Sequence, residues 1–335
     1  MRRPAAPWRL RGAALLTAML TVTLVATFAA AALWQQWRSI EVETAERARV
    51  QSSWLLTGAL DWARLVLRED GRSQGGQGID HLGEPWAVPL QEARLSSFLA
   101  ADRNNTAETG PEVMDAFLSG QMIDLQSLLN VRNLANNGQV DEAGALSFAR
   151  LFDLLALPPA ELERLTENLR FASDETGANR SSPMAPLMPQ RVEQLVWLGL
   201  SAQTVAALQP YVTILPVANT QVNLNTAAAE VIYAAVPTLS LAEAQTLVSE
   251  RERAHFRRVS DADTVLGRKG GDILPPSRVG VGSGYFEVRS RLRLEQLVVE
   301  ERAVLSRDGL HNVKTVTRER GFIDPAAVAQ AAARR

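Results

Sequence analysis

The sequence contains no cysteine and only three histidines, His81, His255 and His311, among its 335 residues. Without cysteine, a disulfide scaffold, thiolate catalysis, an iron–sulfur cluster and a cysteine zinc site are all excluded. The histidines lie far apart in the sequence, and no pair has metal-ligand spacing. A strong excess of one charge is also missing: with 35 basic and 37 acidic residues, the net charge of −2 does not attract nucleic acid non-specifically. Apolar residues are plentiful, at 46%, and the length is typical of about two domains.

Charged residues are absent from positions 13–34, whereas residues 1–12 contain four arginines and no acid. A helix of 22 residues is about 33 Å long and can cross the hydrocarbon core of a bilayer. Arginines before such a segment stay in the cytoplasm, which predicts a cytoplasmic N-terminus and an exported body. Beyond the segment, apolar residues keep to one helical face as far as Arg68. This pattern predicts one helix over residues 13–68, about 84 Å long.

Three kinds of N-terminal segment fit this pattern. It can be a plain single-pass anchor, a signal peptide cleaved near Ala29–Ala31, or a prepilin leader cleaved between Gly12 and Ala13. Gly12 directly precedes the apolar segment, and the helical pattern continues past the membrane, which favours the prepilin interpretation. Removal of the leader would change the net charge from −2 to −6.

Three further segments, together with this N-terminus, carry a resemblance to a known family. RGAALLTAMLTVTLVATFAAA, followed by WQQW, resembles the start of the K-class minor pseudopilin of type II secretion systems (general secretion pathway protein K). The resemblance extends over about residues 9–267. The motif residues that match the family pattern, all expected to be structural, are Asp80, Glu84, Trp86, Asp124, Asn130, Asn223, Asn225 and Thr226.

The resemblance implies an α+β fold in which a pilin-like long N-terminal helix packs on a small antiparallel sheet, with an inserted all-helical domain. It divides the chain into a leader (1–12), a transmembrane helix (13–34), a pilin-like part (35–130), a helical insertion (131–267), C-terminal strands (268–320) and a tail (321–335). Alternating polar and apolar residues predict strands at 285–294, 297–305 and 312–317. We also expect a hairpin over residues 114–128, with its turn at Ser119–Gly120.

The resemblance also implies function. A prepilin peptidase would cleave between Gly12 and Ala13 and methylate Ala13, leaving the body in the periplasm on an inner-membrane anchor. The partners would be the I- and J-class minor pseudopilins and the major pseudopilin. The fifth mature residue, Thr17, stands where most pilin-like subunits have glutamate, and K-class proteins lack that glutamate and take a tip position. A threonine hydroxyl can bond to a helix carbonyl one turn back, so it carries no buried charge.

Calcium is associated with the family's helical region, and the corresponding acidic residues here are Asp174 and Glu175. A calcium ion takes six to eight oxygen ligands, which these two residues cannot supply alone. We therefore expect a polar surface loop, and no cofactor is assigned from the sequence.

Residues 220–267 resemble a helix-hairpin-helix unit. Asn225 or Thr226 is the expected N-cap of the first helix, and Ser240 with Glu243 forms a capping box for the second. A phosphate-gripping hairpin needs glycines, and residues 236–240 have none, so packing against protein is favoured over DNA binding.

Other functional classes remain as alternatives: a minor pilin of a type IV pilus, a membrane-anchored DNA-uptake module and an exported hydrolase. The sequence contains no catalytic motif, so we expect no enzymatic activity. Asp70, Asp80 and Glu84 could form an acid pair, but their position near a glycine-rich segment predicts solvated loop carboxylates.

Overall fold

The computed structural model describes residues 10–73, 78–95, 116–174, 176, 179, 182–267, 274–294, 297–309 and 312–321. The chain divides into two units, Met1–Leu55 and Leu56–Arg335. Helix α1, Leu10–Ser73, is unbroken, which confirms the predicted long helix and extends it at both ends. In the described part of the chain it is the one helix long and apolar enough to cross a membrane.

The remaining elements belong to the second unit. The helices are α2 (Glu142–Leu154), α3 (Pro159–Ala172), α4 (Ala202–Leu208), α5 (Ala229–Ala235), α6 (Leu241–Arg253) and α7 (Val259–Val265), with 3-10 turns at Pro85–Ala87, Leu125–Ser127, Val131–Asn133 and Val192–Leu198. The strands are β1 (Leu90–Arg94), β2 (Ala116–Asp124), β3 (Leu129–Asn130), β4 (Ala135–Asn136), β5 (Gln139–Val140), β6 (Val212–Thr213), β7 (Val222–Asn223), β8 (Val279–Gly280), β9 (Tyr285–Leu294), β10 (Leu297–Arg307) and β11 (Val313–Arg320).

The main sheet has five strands in the order β1-β2-β9-β10-β11, and all neighbours are antiparallel. Leu60, Ala63 and Leu67 of α1 recur at helical spacing and are buried with Phe286 and Leu305 of the sheet. The expected α+β fold, with a long helix packed on a small antiparallel sheet, is therefore confirmed. The three C-terminal strands also lie where their alternating pattern predicted them.

A second, larger apolar core is built from residues 129–279, which lie between β2 and β9 in the sequence. Leu151 of α2, Leu165 of α3 and Ile232 of α5 are fully buried within it. Three two-stranded pairs, β3–β6, β4–β5 and β7–β8, accompany the helices. The predicted domain boundaries at 130 and 267 stay predictions, and most of the tail lies outside the described residues.

The predicted hairpin at residues 114–128 is wrong. Ser119 and Gly120 lie in the middle of β2, which pairs with β9 from Ala116 to Asp124. A Cβ on Gly120 would approach the carbonyl oxygen of Arg289 to 2.9 Å. The glycine therefore permits a close approach between neighbouring strands and does not make a turn.

Of the two helix N-termini predicted in residues 220–267, one is confirmed and the other is wrong. Helix α6 begins as predicted, because Ser240 and Glu243 form the capping box. Helix α5 begins later than expected, with Ala228 as its N-cap and no side-chain cap. Asn225 and Thr226 are not N-caps because their side chains bond to distant parts of the chain.

Candidate functional site

Most of the motif residues meet in one buried cluster between the main sheet and the helical core. We call this cluster the polar junction, and it consists of Asp70, Asp80, Glu84, Asp124, Asn223, Thr226, Ser283 and Arg307. Asp70 lies at the end of α1, Asp80 and Glu84 follow that helix, and Asp124 ends β2. Asn223 ends β7 and Thr226 follows it, Ser283 precedes β9, and Arg307 ends β10. The fold thus collects polar groups from six places in the sequence.

Asp124 is the main hydrogen-bond acceptor of the polar junction. Its Oδ2 accepts from Thr226 Oγ1 at 2.5 Å, Ser283 Oγ at 2.6 Å and Asn223 Nδ2 at 3.1 Å. Its Oδ1 accepts from the backbone N–H of Gln126 at 2.8 Å. A carboxylate suits this position because four donors converge on its two oxygens.

Arg307 supplies the positive charge of the polar junction. Its Nη2 donates to both carboxylate oxygens of Asp80, at 2.5 and 2.6 Å, and its Nη1 donates to Asp70 Oδ2 at 3.0 Å. The side chains of Arg307 and Asp80 are only 5% and 0% exposed. Asp80 Oδ2 also accepts from the backbone N–H of Ser283. This ion pair therefore joins the end of α1 and the segment after it to the last residue of β10.

Asn223 and Asn225 extend the polar junction into the helical core. Asn223 Nδ2 donates to the carbonyl of Asp80 at 3.1 Å and to Ser283 Oγ at 3.0 Å. Asn225 exchanges two hydrogen bonds with the backbone of Phe256, at 2.8 and 2.9 Å. The matching motif residues therefore act together as connectors between separate segments, although the sequence predicted only that they are structural.

Asn130 also connects two separate segments, but it lies outside the polar junction. Its Nδ2 donates to the carbonyl of Val217 at 2.7 Å, and its Oδ1 accepts from the N–H groups of Arg132 and Leu215. The side chain thus ties the end of β3 to the segment that follows β6.

Trp86 links the polar junction to the apolar core beneath the sheet. Its ring packs edge-to-face on Phe286 with centroids 5.2 Å apart, and its Nε1 donates to Glu84 Oε2 at 2.6 Å. Glu84 also accepts from the N–H of His81, and the His81 ring stacks on His255 at 3.8 Å. These contacts join the segment after α1 to the segment after α6.

Burial changes the acidity of this cluster. It raises the pKa of Asp124 to about 6 and that of Glu84 to about 7, and it also raises the pKa of Asp70. Burial, together with the neighbouring His255, lowers the pKa of His81. The prediction that Asp70, Asp80 and Glu84 are solvated loop carboxylates is wrong. All three are buried, because Asp70 and Asp80 pair with Arg307 and Glu84 accepts from Trp86.

Oxygens of Asp70, Asp80 and Glu84 lie within 4.8 Å of one another. Arg307 already donates to two of these carboxylates, those of Asp70 and Asp80, so we assign no metal there. Of the two calcium candidates, Glu175 lies outside the described residues. Asp174 accepts a hydrogen bond from the N–H of Thr176 and belongs to no group of three ligands in the described part of the chain.

The N-terminal site residues lie within α1. The helix begins at Leu10 and therefore includes the predicted cleavage position between Gly12 and Ala13. Thr17 Oγ1 donates to the carbonyls of Ala13 and Ala14, both at 3.0 Å, as expected for a threonine in an apolar helix.

Arg251 lies in the last turn of α6. Its Nη1 donates to the carbonyls of Leu224 and Ala227, at 2.6 and 2.5 Å. This guanidinium stabilises the segment before α5.

Arg307, Ser283 and Gly282 were missed by the sequence analysis. A Cβ on Gly282 would approach the carbonyl oxygen of Gly78 to 1.7 Å, so only glycine fits beside the polar junction. A single arginine at the end of a strand and a Gly-Ser pair in a loop are too common to signal such a site.

Comparison with known protein families gives two matches. Residues 127–217 and 222–281 match two models that both describe protein K of the type II secretion system. The first range contains helices α2, α3 and α4, and the second contains Asn223, Asn225 and Thr226.

Curated relatives match over most of the chain. Type II secretion system protein K of Pseudomonas aeruginosa is 28% identical over 306 residues, covering 84% of each protein. The protein of the same name from Pectobacterium carotovorum subsp. carotovorum is 25% identical over 346 residues, covering 93% of this chain and 97% of the relative.

Among solved structures, a chain of the GspK-GspI-GspJ complex from the type 2 secretion system of enterotoxigenic Escherichia coli is similar, with a TM-score of 0.60. The match covers 83% of this chain and 99% of that chain at 18% identity. At that identity, the similarity establishes a common fold.

Proposed function

This chain belongs to the K class of type II secretion system minor pseudopilins, and we propose that it acts by assembly at the tip of the pseudopilus. In this role it nucleates the filament or limits its growth during export of proteins across the outer membrane. Its body lies in the periplasm and its N-terminus reaches the cytoplasmic side of the inner membrane.

One observation carries this proposal. Helix α1 is unbroken, and its N-terminal apolar residues, such as Leu16, Leu20 and Phe28, are more than 60% exposed. Such an apolar surface needs lipid or the helices of neighbouring subunits to cover it. A subunit that moves from a bilayer into a filament needs a helix that is stable in both surroundings.

Thr17 supports a position at the filament end. A membrane-embedded glutamate is costly unless a neighbour's amine pairs with it, whereas the hydroxyl of Thr17 is satisfied within its own helix. The subunit therefore requires no neighbour to neutralise its fifth mature residue. In the related solved structure, the partners are GspI and GspJ. We propose the corresponding I- and J-class subunits as partners here, with the major pseudopilin below them.

The polar junction has a mechanical role in this proposal. Arg307 ties the end of α1 to the sheet, and Asp124 with Asn223 ties the sheet to the helical core. Force applied along α1 during assembly would therefore pass to the whole second unit through buried charges and hydrogen bonds.

The test begins with the mass of the N-terminal peptide from the protein in membranes of its own host. The proposal expects a chain that begins at methylated Ala13 and that co-purifies with the I- and J-class subunits. The matched control is Gly12→Leu, which should keep the leader and remain in the membrane without entering the complex.

A soluble chain beginning near Ala32 would contradict the proposal and favour an exported protein. A chain cleaved at Ala13 that associates with a type IV pilus and not with the I- and J-class subunits would contradict the tip assignment.

A further inference from the structure

The segment Trp34–Arg38 combines aromatic, amide and cationic side chains at the end of the apolar part of α1. Trp34 and Trp37 lie one helical turn apart, with ring centroids 5.6 Å from each other and exposed fractions of 64% and 54%. Arg38 is the first charged residue after the apolar segment. An indole ring suits an environment that accepts both an apolar ring and an N–H donor.

The dimensions of this segment match the polar layer of a membrane. Residues 13–34 span about 33 Å as a helix, close to the thickness of the hydrocarbon core. The step from Trp34 to Arg38 adds about 6 Å, and one polar layer of a bilayer is roughly 5–7 Å thick. The first acidic residue, Glu41, follows beyond that layer.

From this geometry we propose that Trp34, Trp37 and Arg38 form a lipid-binding collar that fixes α1 at the outer-leaflet interface of the membrane. The indole rings lie among the upper acyl chains and glycerol groups with their N–H groups toward water, and the Arg38 guanidinium binds lipid phosphate. This inference rests on the proposed function, because it requires that residues 13–34 span a bilayer.

Trp54 offers a comparison on the same helix. It is 73% exposed, yet it lies about 30 Å further along α1 than Trp34, far beyond any lipid layer. Its neighbours include Ser52 and Ser53, and residues 41–49 before it contain three acidic and two basic residues. Trp54 is therefore the natural control for an exposed tryptophan that binds no lipid.

The absence of cysteine from the sequence makes a depth measurement direct. Single cysteines are introduced by Val25→Cys, Gln36→Cys and Val50→Cys, and each is spin-labelled in the full chain. The chain is reconstituted at low density in phosphatidylethanolamine–phosphatidylglycerol vesicles. Accessibility to oxygen and to a water-soluble nickel chelate is measured for each label.

The collar predicts high oxygen access at position 25, comparable access to both reagents at position 36, and high nickel access at position 50. Replacing the pair by Trp34→Ala with Trp37→Ala should move the label at position 36 by about 3 Å, or two residues of helix. Trp54→Ala should leave its depth unchanged.

Each contrary outcome has a distinct meaning. If the label at position 25 stays in lipid and the label at position 36 does not move in the double variant, the collar is overturned and the anchor stands. A label at position 36 that is shielded from both reagents would show a protein contact and also overturn the collar. High nickel access at position 25 would overturn the collar and the membrane anchor together.

Discussion

Polar side chains are satisfied in two different ways in the two units of this protein. In the N-terminal unit, the hydroxyls of Thr17, Thr21 and Thr27 donate to carbonyls three or four residues earlier in the same helix. In the polar junction, Asp124 is bonded to residues about 100 and 160 positions away, and Arg307 to residues about 230 positions away. The first arrangement needs only a helix, whereas the second needs the whole fold.

The two arrangements differ in how well they tolerate substitution. A threonine hydroxyl in a helix donates to a carbonyl that already accepts a backbone hydrogen bond. Loss of the hydroxyl therefore leaves that carbonyl satisfied. A buried carboxylate or guanidinium leaves its partners uncompensated when it is removed. We therefore expect a substitution to cost more unfolding free energy when the bonded partners are far apart in the sequence.

The largest expected effect is that of Arg307→Met. The substitution leaves the buried carboxylates of Asp70 and Asp80 without their cation, and we expect a loss of about 3–5 kcal/mol in the free energy of unfolding. The measurement is urea unfolding of the full chain in detergent, followed by near-ultraviolet circular dichroism. Arg47→Met is the control, because its pair with Glu43 is exposed and contributes less than about 1 kcal/mol. Equal losses in both variants would show that the buried pair contributes no more to stability than the exposed pair.

Asp124→Ala should rank next, at about 3 kcal/mol, because it removes the acceptor for three side-chain donors and one backbone N–H. The control is Asp141→Ala, which removes an N-cap whose partner, Gly144, is three residues away. That cap contributes about 1 kcal/mol. The same unfolding measurement compares the two variants, and a larger loss for Asp141→Ala would contradict the ranking.

Glu84→Gln should change the pH dependence of stability. The folded pKa of Glu84, about 7, lies above its ordinary value because of burial, so the protonated form is favoured in the folded protein. The stabilisation is complete below the ordinary pKa and is lost as the pH rises through about 7. Between pH 5 and 8, we expect the native chain to lose about 2 kcal/mol more than the variant.

His81 acts in the opposite direction and serves as the control for pH. Its folded pKa is lowered, so its contribution is present above its ordinary pKa and is lost as the pH falls through the folded value. His81→Gln should therefore remove a loss of stability that develops as the pH falls, and Glu84→Gln should remove a loss that develops as the pH rises toward about 7. Parallel stability curves for Glu84→Gln and the native chain would show that Glu84 does not titrate in this range.

The smallest effect is expected for Thr17→Val. The hydroxyl bonds to Ala13 and Ala14 in its own helix, so we expect a change below about 0.5 kcal/mol. The measurement is the same unfolding experiment, combined with the fraction of chain retained in membranes after alkaline extraction. A clear loss of membrane retention would indicate that Thr17 has a partner outside its own helix.

Prediction from the sequence succeeded where the signal was local. The Ser240–Glu243 capping box, the alternating strand at 285–294 and the helical periodicity of α1 all depend on neighbours a few residues apart. It failed where a residue type has several uses. Gly120 permits strand contact and makes no turn, and Thr226 bonds to Asp124 and caps no helix.

Local patterns in the chain predict the apolar helix, the alternating strands and the motif residues that carry the family resemblance. Those patterns do not reveal that Asp80, Asp124 and Asn223 meet, that Arg307 pairs with Asp70 and Asp80, or that Gly282 leaves room for the carbonyl of Gly78. The two kinds of interaction act over different distances along the chain. Backbone hydrogen bonds and side-chain periodicity act over one or two turns, whereas a buried charge takes its partner from whatever segment the fold places beside it.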